Sequence, residues 1–420
     1  MAAWLTWLET LHPASVELGL GRVAEVAERL DVAQPAAPVI TVAGTNGKGS
    51  VCAFLEGIAL AEGRSPGLYS SPHLGRYNER VRLGGVDIDD AALIASFEQV
   101  EAARDDVPLT FFEFGTLAAL VCFRARRVDP IILEVGLGGR LDATNVVAAD
   151  VAVISSIGVD HVEWLGRDRE AVAAEKAGIA RSDRPLVIAE PDLPGGWYRV
   201  VAATRAREIR YGRDFAAGTD ADGGWWLKHG AGRYEGLPPP ALLGECQVRN
   251  AATAAVAWTA LTGSPPSSSA VATALRSTSI PGRMEKVYLK NRDVEVIFDV
   301  AHNPQAASEA ARGLAAMPAS GRTLCVTGMY ADKDVAGVAR ALAPCVDAWL
   351  CATLEPPRGL AASELAAQLT ASGEVTAATV ADCGGLDAAL AAALRSAVAG
   401  DRVLITGSFA TVAQLRGHFL

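Results

Sequence analysis

Residues 38–50 read PVITVAGTNGKGS: an apolar run, a glycine-rich turn and the start of a helical stretch. The apolar run predicts a buried strand, and apolar side chains between residues 50 and 62 recur at the spacing of one helical face. A glycine-rich turn between a strand and a helix directs backbone N–H groups and the positive helix end at an anion. We therefore predict a phosphate-binding turn, with Lys48 reaching the β- and γ-phosphates and the Ser50 hydroxyl near the phosphates and their metal ion.

The spelling of this turn departs from the common phosphate-loop pattern G-x-x-x-x-G-K-[ST]. Position 42 is Val where that pattern has Gly, and Gly49 stands between Lys48 and Ser50. The alternative is an ordinary strand-to-helix turn, but the strand before the turn and the helix after it favour phosphate binding. The candidate residues are Gly44, Thr45, Asn46, Gly47, Lys48, Gly49 and Ser50.

The rest of the chain repeats this alternation of short apolar runs and helical stretches. The runs at 131–135 and 151–157 are typical of parallel strands covered by helices on both faces. A second set of runs begins after residue 290, separated by alanine-rich helical stretches. The pattern predicts an α/β protein with two domains: a larger one over 1–282 that contains the phosphate loop, and a smaller, Rossmann-like one over 283–420.

Composition excludes several classes of protein. The chain has 420 residues, of which 50% are hydrophobic and 20% charged, so it is not a disordered protein. Its formal net charge of −10 argues against a general nucleic-acid or anionic-membrane binder. Seven cysteines without a CxxC pair, and no secretory signal or apolar run of about 18 residues, indicate a cytoplasmic protein with no membrane partner.

Glu134 ends the apolar run that begins at Ile131. A carboxylate at the C-terminal end of a parallel strand lies where open α/β sheets bind ligands. Beside a phosphate loop it is a suitable ligand for Mg²⁺, which prefers hard oxygen atoms. The alternative is an acid that caps the following glycine turn. We favour the metal, because burial of an unpaired acid after this run would be costly.

The turn GTNGKGS resembles the phosphate loop of the Mur ligase superfamily and, within it, the folylpolyglutamate synthase/dihydrofolate synthase family. The resemblance continues in the family's order along nearly the whole chain and is strongest to bacterial bifunctional members. The further motifs are YSSPHLGRYNERVR at 69–82, IILEVGLGGRLDATN at 131–145, DHVEWLGRDREAVAAEKAGI at 160–179, PGR at 281–283, FDVAHNP at 298–304, GMYADKD at 328–334 and ITGSFATV at 405–412.

The resemblance implies that the larger domain is of the Mur-ligase ATPase type and that ATP binds between the two domains. It adds Ser71 and His161 to Glu134 as metal-site residues, implies two Mg²⁺ sites and allows a monovalent cation. It also implies nucleotide contacts outside the phosphate loop. These residues are Asn250 on the adenine side, Asp299 at the ribose, and Arg283 and His302 near the phosphates.

The family places the pterin of its substrate near three segments. They are residues 16–20 (VELGL), 110–113 (TFFE) and 141–143 (LDA). Phe112 could stack on a pterin ring, although a Phe-Phe pair in an apolar region is more often core. The candidate residues are Leu18, Gly19, Leu20, Thr110, Phe111, Phe112, Glu113, Leu141, Asp142 and Ala143.

Two further candidates have ordinary structural explanations beside the functional ones. Lys176 ends a helical stretch, where the helix dipole favours a cation; the family implies instead that it is carbamylated to N6-carboxylysine and takes part in catalysis. Asn303-Pro304 is a good helix start, which leaves Asp299 and His302 unexplained.

The resemblance implies an ATP-dependent ligase that adds L-glutamate to dihydropteroate and to reduced folates through an acyl phosphate. It implies a monomer. The nearest rival is a superfamily ligase that joins an amino acid to a cell-wall nucleotide; the segments VELGL and TFFE argue against it. A P-loop nucleotide switch is the rival of another class, but the sequence has no N-K-x-D motif and carries a whole second α/β domain.

Overall fold

A computed structural model describes residues 1–12, 17–166, 168–220, 224–230, 232–317, 319–355 and 358–419. The chain divides into two units. The first comprises residues 1–241 and 247–278, and the second comprises 242–246 and 279–420. The change of unit after Thr278 falls a few residues before the division at 282/283 that we predicted.

The first unit is built on a largely parallel sheet with the strand order β4-β3-β2-β5-β1-β6-β7-β8 among the described residues. Among the strands of this sheet that the structure describes, the antiparallel pairings are those of β3 with β2 and with β4, at one edge. The predicted first strand is central, since β1 pairs with β5 on one side and β6 on the other. The strands are β1 (Val39–Ala43), β2 (Gly67–Tyr69), β3 (Val81–Leu83), β4 (Val86–Asp87), β5 (Ile131–Glu134), β6 (Val151–Ile154), β7 (Pro185–Ile188) and β8 (Arg207–Arg210).

The segment 205–243, predicted as strands and loops attached to the first domain, supplies β8 and a separate antiparallel sheet. That sheet has the order β11-β10-β9, with β9 (Phe215–Thr219), β10 (Trp225–His229) and β11 (Gly232–Leu237). The helices described along residues 1–278 are α1 (Ala2–Thr10), α2 (Gly21–Arg29), α3 (Lys48–Ala61), α4 (Asp90–Arg104), α5 (Phe111–Arg126), α6 (Val162–Leu165), α7 (Arg169–Ala177), α8 (Trp197–Thr204), α9 (Glu245–Thr262) and α10 (Ser268–Ser277).

The second unit has its own sheet, with the order β12-β13-β17-β14-β15-β16 in the described part of the chain. All its pairings are parallel except that of β12 with β13. The two-domain α/β prediction is confirmed. The elements are β12 (Glu285–Leu289), β13 (Val294–Phe298), α11 (Pro304–Ala315), β14 (Thr323–Thr327), α12 (Val335–Leu342), β15 (Ala348–Cys351), α13 (Ala362–Ala371), β16 (Val380–Asp382), α14 (Leu386–Ser396), β17 (Arg402–Thr406) and α15 (Phe409–Arg416).

No helix in the described ranges combines the length and the apolar character that crossing a bilayer would require.

The α3 helix is buried along much of its length, with Phe54, Leu55 and Ile58 almost inaccessible to solvent. Burial of such side chains stabilises the fold by roughly 1.5–3 kcal/mol each.

Helix α5 begins with a reciprocal cap. The Thr110 side chain accepts from the Glu113 N–H (3.3 Å), and Glu113 Oε2 accepts from the Thr110 N–H (2.8 Å). Both side chains are buried, and Arg22 donates to Glu113 Oε1 (3.1 Å). The cap satisfies backbone donors that a helix start leaves without partners. It therefore fixes where the helix, and with it Phe111 and Phe112, begins.

We expect Thr110→Ala to lower the free energy of unfolding by about 1 kcal/mol, the usual cost of a lost N-cap side chain. A urea titration followed by circular dichroism would show a lower midpoint with an unchanged slope. Thr259→Ala is the matched control, since the Thr259 hydroxyl only donates back to the Ala255 carbonyl within α9. Equal losses in the two variants would contradict a special role for the cap.

Candidate active site

The phosphate loop joins β1 to α3 and packs closely against the segment that follows β6. A Cβ on Gly44, whose φ is 157°, would lie 1.9 Å from the Ser155 Oγ. No side chain fits in that space, so this position requires glycine. The Ser155 hydroxyl in turn donates to the Asn46 carbonyl (2.7 Å).

Further hydrogen bonds from the β6 end hold the loop. The Ser156 carbonyl accepts from the Thr45 N–H (3.0 Å), and its hydroxyl accepts from the Asn46 N–H (2.9 Å). The Thr45 hydroxyl donates to the Gly158 carbonyl (2.8 Å). The sequence analysis missed these supporting residues. Their signal was the polar pair in SSIG directly after an apolar strand, because neighbouring parallel strands end at the same sheet edge.

Gly47 and Lys48 form the junction of loop and helix. Gly47 has a φ of 84°, and a Cβ there would lie 3.0 Å from Asn250 Oδ1. Asn250 is buried on α9 and donates to Gln247 Oε1 (3.0 Å), and its side chain adjoins the loop at Gly47. Lys48 Nζ donates to the Gly44 carbonyl (2.9 Å). Helix α3 begins at Lys48, and its first N–H groups lack partners within the helix, which suits them to an anion.

Glu134 lies beside this junction. Its carboxylate is 5% exposed, and Oε2 accepts from the Ser71 N–H (3.1 Å). A Cβ on Gly49 would lie 3.6 Å from Glu134 Oε1, so the acid adjoins the first turn of α3. The structure thus brings Ser71, Glu134 and the phosphate loop together.

His161 lies on the segment that continues from Gly158, is exposed, and has a φ of 51°. The described ranges contain no group of three or more His, Cys, Asp or Glu side chains placed to hold a metal ion. A buried carboxylate beside a phosphate loop still fits Mg²⁺. That ion is usually held by one or two carboxylates, substrate phosphates and water.

Lys176 is 2% exposed although it lies near the end of α7. Burial, followed by the positive charge of Lys48, lowers its pKa to about 7, while Asp160 and Asp142 act in the opposite direction. A substantial fraction of Lys176 is therefore a neutral, nucleophilic amine near neutral pH. An ordinary lysine at a helix end would be exposed and charged, so the helix-dipole explanation does not account for this position.

Hydrogen bonding and packing connect parts of the three segments that the resemblance places near the pterin. The Gly19 N–H donates to the Leu141 carbonyl (3.4 Å), and Leu20 packs on the same core cluster as Phe111 and Phe112. The Phe112 ring lies 5.8 Å from the Tyr69 ring. Val16 lies outside the described residues. Of the other candidates, Leu18 is half-buried and Ala143 buried.

Asp142 is buried, and burial raises its pKa despite several hydrogen bonds. Its carboxylate accepts from the Thr144 hydroxyl (2.6 Å) and from the Leu137 N–H (2.9 Å). These bonds shape the 136–144 loop. Asp142 therefore has a structural role whatever it contacts in a substrate.

Arg80 was not predicted as a site residue. Its guanidinium lies over the rings of Tyr77 (5.2 Å) and Phe111 (5.4 Å), and Nε donates to His73 Nδ1 (2.8 Å). Burial and the charge of Arg80 lower the pKa of His73 to about 4, so His73 stays neutral. Within the described ranges Arg80 has no carboxylate partner, and its fork is suited to one.

In the second unit, Asp299 is buried at the end of β13. Its Oδ2 accepts from the Met284 N–H (3.0 Å) and its Oδ1 from the Ala301 N–H (2.9 Å). Burial raises its pKa, which the charge of Arg283 opposes. His302 follows in the same loop, and its Nδ1 lies 2.8 Å from the Val300 carbonyl oxygen. The structure thus brings Arg283, Asp299 and His302 together within this unit.

Comparison with known proteins identifies the family. The chain is 46% identical over 99% of its length to the dihydrofolate synthase/folylpolyglutamate synthase of Escherichia coli (strain K12), covering 94% of that protein. The chain belongs to the dihydrofolate synthase/folylpolyglutamate synthase family. The predicted membership is confirmed. Residues 282–409 also match the model of the Mur ligase, glutamate ligase domain.

Solved structures of family members have the same fold. E. coli FolC in complex with DHPP and ADP is 45% identical, with a TM-score of 0.92, and the match covers 99% of this chain and 97% of that one. A bifunctional folylpolyglutamate synthase/dihydrofolate synthase with Mn, AMPPNP and L-glutamate bound is 44% identical over 99% and 97% of the two chains, with a TM-score of 0.90. This member of the family therefore shares its fold with relatives solved in complex with nucleotides.

We expect Gly47→Ala to weaken binding of a nucleoside triphosphate at least about tenfold, equivalent to 1.4 kcal/mol. The added methyl group meets Asn250 at a φ that disfavours a side chain, so the loop must shift. Isothermal titration calorimetry would measure the affinity. Gly63→Ala is the control: Gly63 follows α3 with a φ of 76° and nothing within 4 Å of its added Cβ. If both variants bound equally well, the loop geometry would not control binding.

Proposed function

We propose that this chain is an ATP-dependent carbon–nitrogen ligase that adds L-glutamate to dihydropteroate, forming dihydrofolate, and to the glutamate tail of reduced folates. The phosphoryl group passes to the acceptor carboxylate and gives an acyl phosphate; the amine of glutamate then displaces phosphate. ADP and phosphate are the other products. The observation that carries the proposal is the loop of residues 44–50 beside buried Glu134, in a chain matched over its full length by family members.

The chemistry explains why this site needs cations rather than a nucleophilic side chain. A carboxylate is a poor electrophile, and phosphorylation supplies its leaving group. In the first step the bond between the γ-phosphorus and ADP breaks and a bond to the carboxylate oxygen forms. In the second, a C–N bond forms, the C–O bond to phosphate breaks, and the ammonium group of glutamate releases two protons, which leaves the amide N–H. The protein's part is to position the reactants and balance charge.

Lys48 is the residue of the first unit best placed to balance phosphate charge. Its ammonium lies on the loop carbonyls, so a bound triphosphate needs only to draw it from Gly44 and Thr45. We assign the other nucleotide contacts as the family resemblance implies: Asn250 on the adenine side, Asp299 at the ribose, and Arg283 and His302 near the phosphates. Both oxygens of Asp299 already accept backbone hydrogen bonds, which orients the carboxylate for a further donor.

Divalent metal would be held by Glu134 with Ser71 and His161, together with phosphate oxygens. A bound Mg²⁺ supplies charge neutralisation of the phosphates. The Mn-bound relative supports the use of a divalent ion. That the ion is Mg²⁺, that there are two sites and that a monovalent cation takes part are further proposals.

We place the pterin against residues 18–20, 110–113 and 141–143, with Phe112 as the stacking ring. The half-buried position of Phe112 beside Tyr69 supports this, because its ring is held in place. The DHPP bound in the E. coli FolC complex supports a pterin acceptor. The cytoplasmic location and the monomeric state stay predictions.

We also propose that Lys176 carries a carbamate. Its neutral amine adds to the carbon of CO₂, a C–N bond forms, and one proton leaves to solvent. The product is an anion beside Lys48, so the modification converts a repulsive pair into an attractive one. The buried position and the lowered pKa support this chemistry.

Product analysis tests the proposed function. Supplied with ATP, L-glutamate and either dihydropteroate or a reduced folate monoglutamate, the protein should add one glutamate mass to each acceptor and release one phosphate per addition. Lys48→Met should lose turnover by about a hundredfold or more while remaining folded, because a group that stabilises transferring phosphate is removed. Mass spectrometry and phosphate release would measure both.

Lys228→Met is the matched control, since Lys228 is exposed on β10. Extension of folates without any glutamylation of dihydropteroate would refute bifunctionality and leave the ligase. Activity on a cell-wall nucleotide instead would support the rival ligase. ATP hydrolysis indifferent to pterin and glutamate would contradict both.

The Lys176 carbamate should be visible by ¹³C NMR after exchange with ¹³C-bicarbonate, and the signal should be absent from Lys176→Met. Since the pKa is about 7, the reactive neutral amine increases as the pH rises through 7, so the signal should be stronger at pH 8 than at pH 6. The pKa of Lys176 in the folded chain lies below the ordinary lysine value of 10.5, so the unmodified chain should also gain stability as the pH rises from about 7 towards 10.5.

Lys228→Met should keep the carbamate signal. A wild-type protein with no signal at pH 8, or a fully active Lys176→Met, would be inconsistent with a catalytic carbamate.

A further inference from the structure

Arg283 and His302, which we propose lie near the phosphates, both lie close to the Phe409 ring of the second unit. The Arg283 guanidinium carbon lies 5.1 Å from the centre of the Phe409 ring. The His302 ring centre lies 6.0 Å from the same ring, with the two planes inclined at 52°. Arg283 and His302 come from different segments, one before β12 and one after β13. Phe409 comes from a third, at the start of α15.

The backbone of Phe409 is held firmly. Ser408 precedes it as the N-cap of α15, and the Ser408 hydroxyl accepts from the Thr411 N–H (3.0 Å). The Thr411 hydroxyl donates to the Gly328 carbonyl (2.9 Å), and both Ser408 and Thr411 are buried. The ring therefore projects from a fixed point of the sheet edge.

The loop that carries His302 is tied to the same edge. The Asp299 N–H donates to the Ile405 carbonyl (3.0 Å), and the Gly407 N–H donates to the Ala301 carbonyl (3.0 Å). These bonds fix the spacing between the His302 loop and Phe409.

The backbone of Arg283 is fixed, but a fixed backbone does not by itself fix the position of the side chain. It lies between Gly282 (φ 68°) and Met284 (φ 48°), and left-handed Met284 is held there by Asp299. Gly282 donates to Glu285 Oε2 (2.8 Å), which Arg416 binds in turn (2.8 Å). A long arginine side chain on this turn retains several rotatable bonds. The Phe409 ring restricts them, because a cation over an aromatic face is favoured.

We infer that Phe409 is a positioning residue: its ring holds Arg283 and His302 in the arrangement that meets the phosphates. This inference rests on the proposed function. Neither the phosphate nor the acceptor needs to touch the ring. Its effect should therefore appear where charge shifts during phosphoryl transfer rather than in binding of ADP, which lacks the transferred group.

The test compares Phe409→Leu, which keeps apolar volume but removes the ring face, with Phe409→Tyr, which keeps it. We expect Phe409→Leu to lower kcat about five- to tenfold, with ADP affinity and the unfolding midpoint changed little. Phe409→Tyr should stay within about twofold of wild type. In an Arg283→Ala, His302→Ala background, Phe409→Leu should cost less than about twofold more, because both residues that the ring positions are already absent.

Phe419→Leu is the matched control: it removes a half-buried ring of the same unit, which packs on Phe298 at 5.4 Å. It should leave kcat unchanged. Losses that multiply in the variant that lacks Arg283, His302 and the ring, a Phe409→Tyr as impaired as Phe409→Leu, or a parallel loss of ADP affinity and stability would overturn the inference. An impaired Arg283→Ala with a normal Phe409→Leu would overturn it while leaving the proposed role of Arg283. An Arg283→Ala variant with unchanged kcat would overturn both the positioning role of Phe409 and the phosphate role of Arg283. The ligase assignment would remain, because it is tested by the reaction products.

Discussion

The absence of a side chain at Gly44 is the constraint on which the first unit's site depends. Only because there is no Cβ can the loop after β1 approach Ser155 at the end of β6, where two serine hydroxyls and a carbonyl hold it. That approach fixes the position of the loop, and with it the start of α3 at Lys48. It also places Gly49 beside Glu134, the acid that ends β5. A displaced loop would lose both the hydrogen bonds that hold its shape and its position beside Glu134.

The second unit follows the same rule with different residues. Its functional candidates also lie where parallel strands end, at β13 and β17, and hydrogen bonds between the two loops fix their spacing. Here the close support is an aromatic ring instead of a serine pair. The face of a ring can orient an arginine without removing its positive charge, which suits a residue proposed to meet phosphates.

Burial gives several titratable groups properties that their sequence neighbours do not suggest. Lys176 has a lowered pKa because it is desolvated close to a second cation, and His73 is kept neutral beside Arg80. Asp142 and Asp299, in contrast, are buried acids that accept backbone hydrogen bonds. Burial shifts the pKa of all four groups, and the last two also shape loops through their hydrogen bonds. The distinction follows from their partners and not from their residue types.

The sequence alone determined the alternation of strands and helices, the phosphate loop and the family, since apolar periodicity and local motifs are written in consecutive residues. It located Lys48, Glu134 and Lys176 for the same reason. Only the tertiary structure decided that Ser155 and Ser156 support the loop, that Thr110 and Glu113 cap a helix, and that Lys176 is buried. These depend on which strand ends lie side by side and on which side chains exclude water. Phe409 is the clearest case: in the sequence it is one apolar residue at a helix start, and it lies more than a hundred residues along the chain from Arg283, which it contacts in the folded structure.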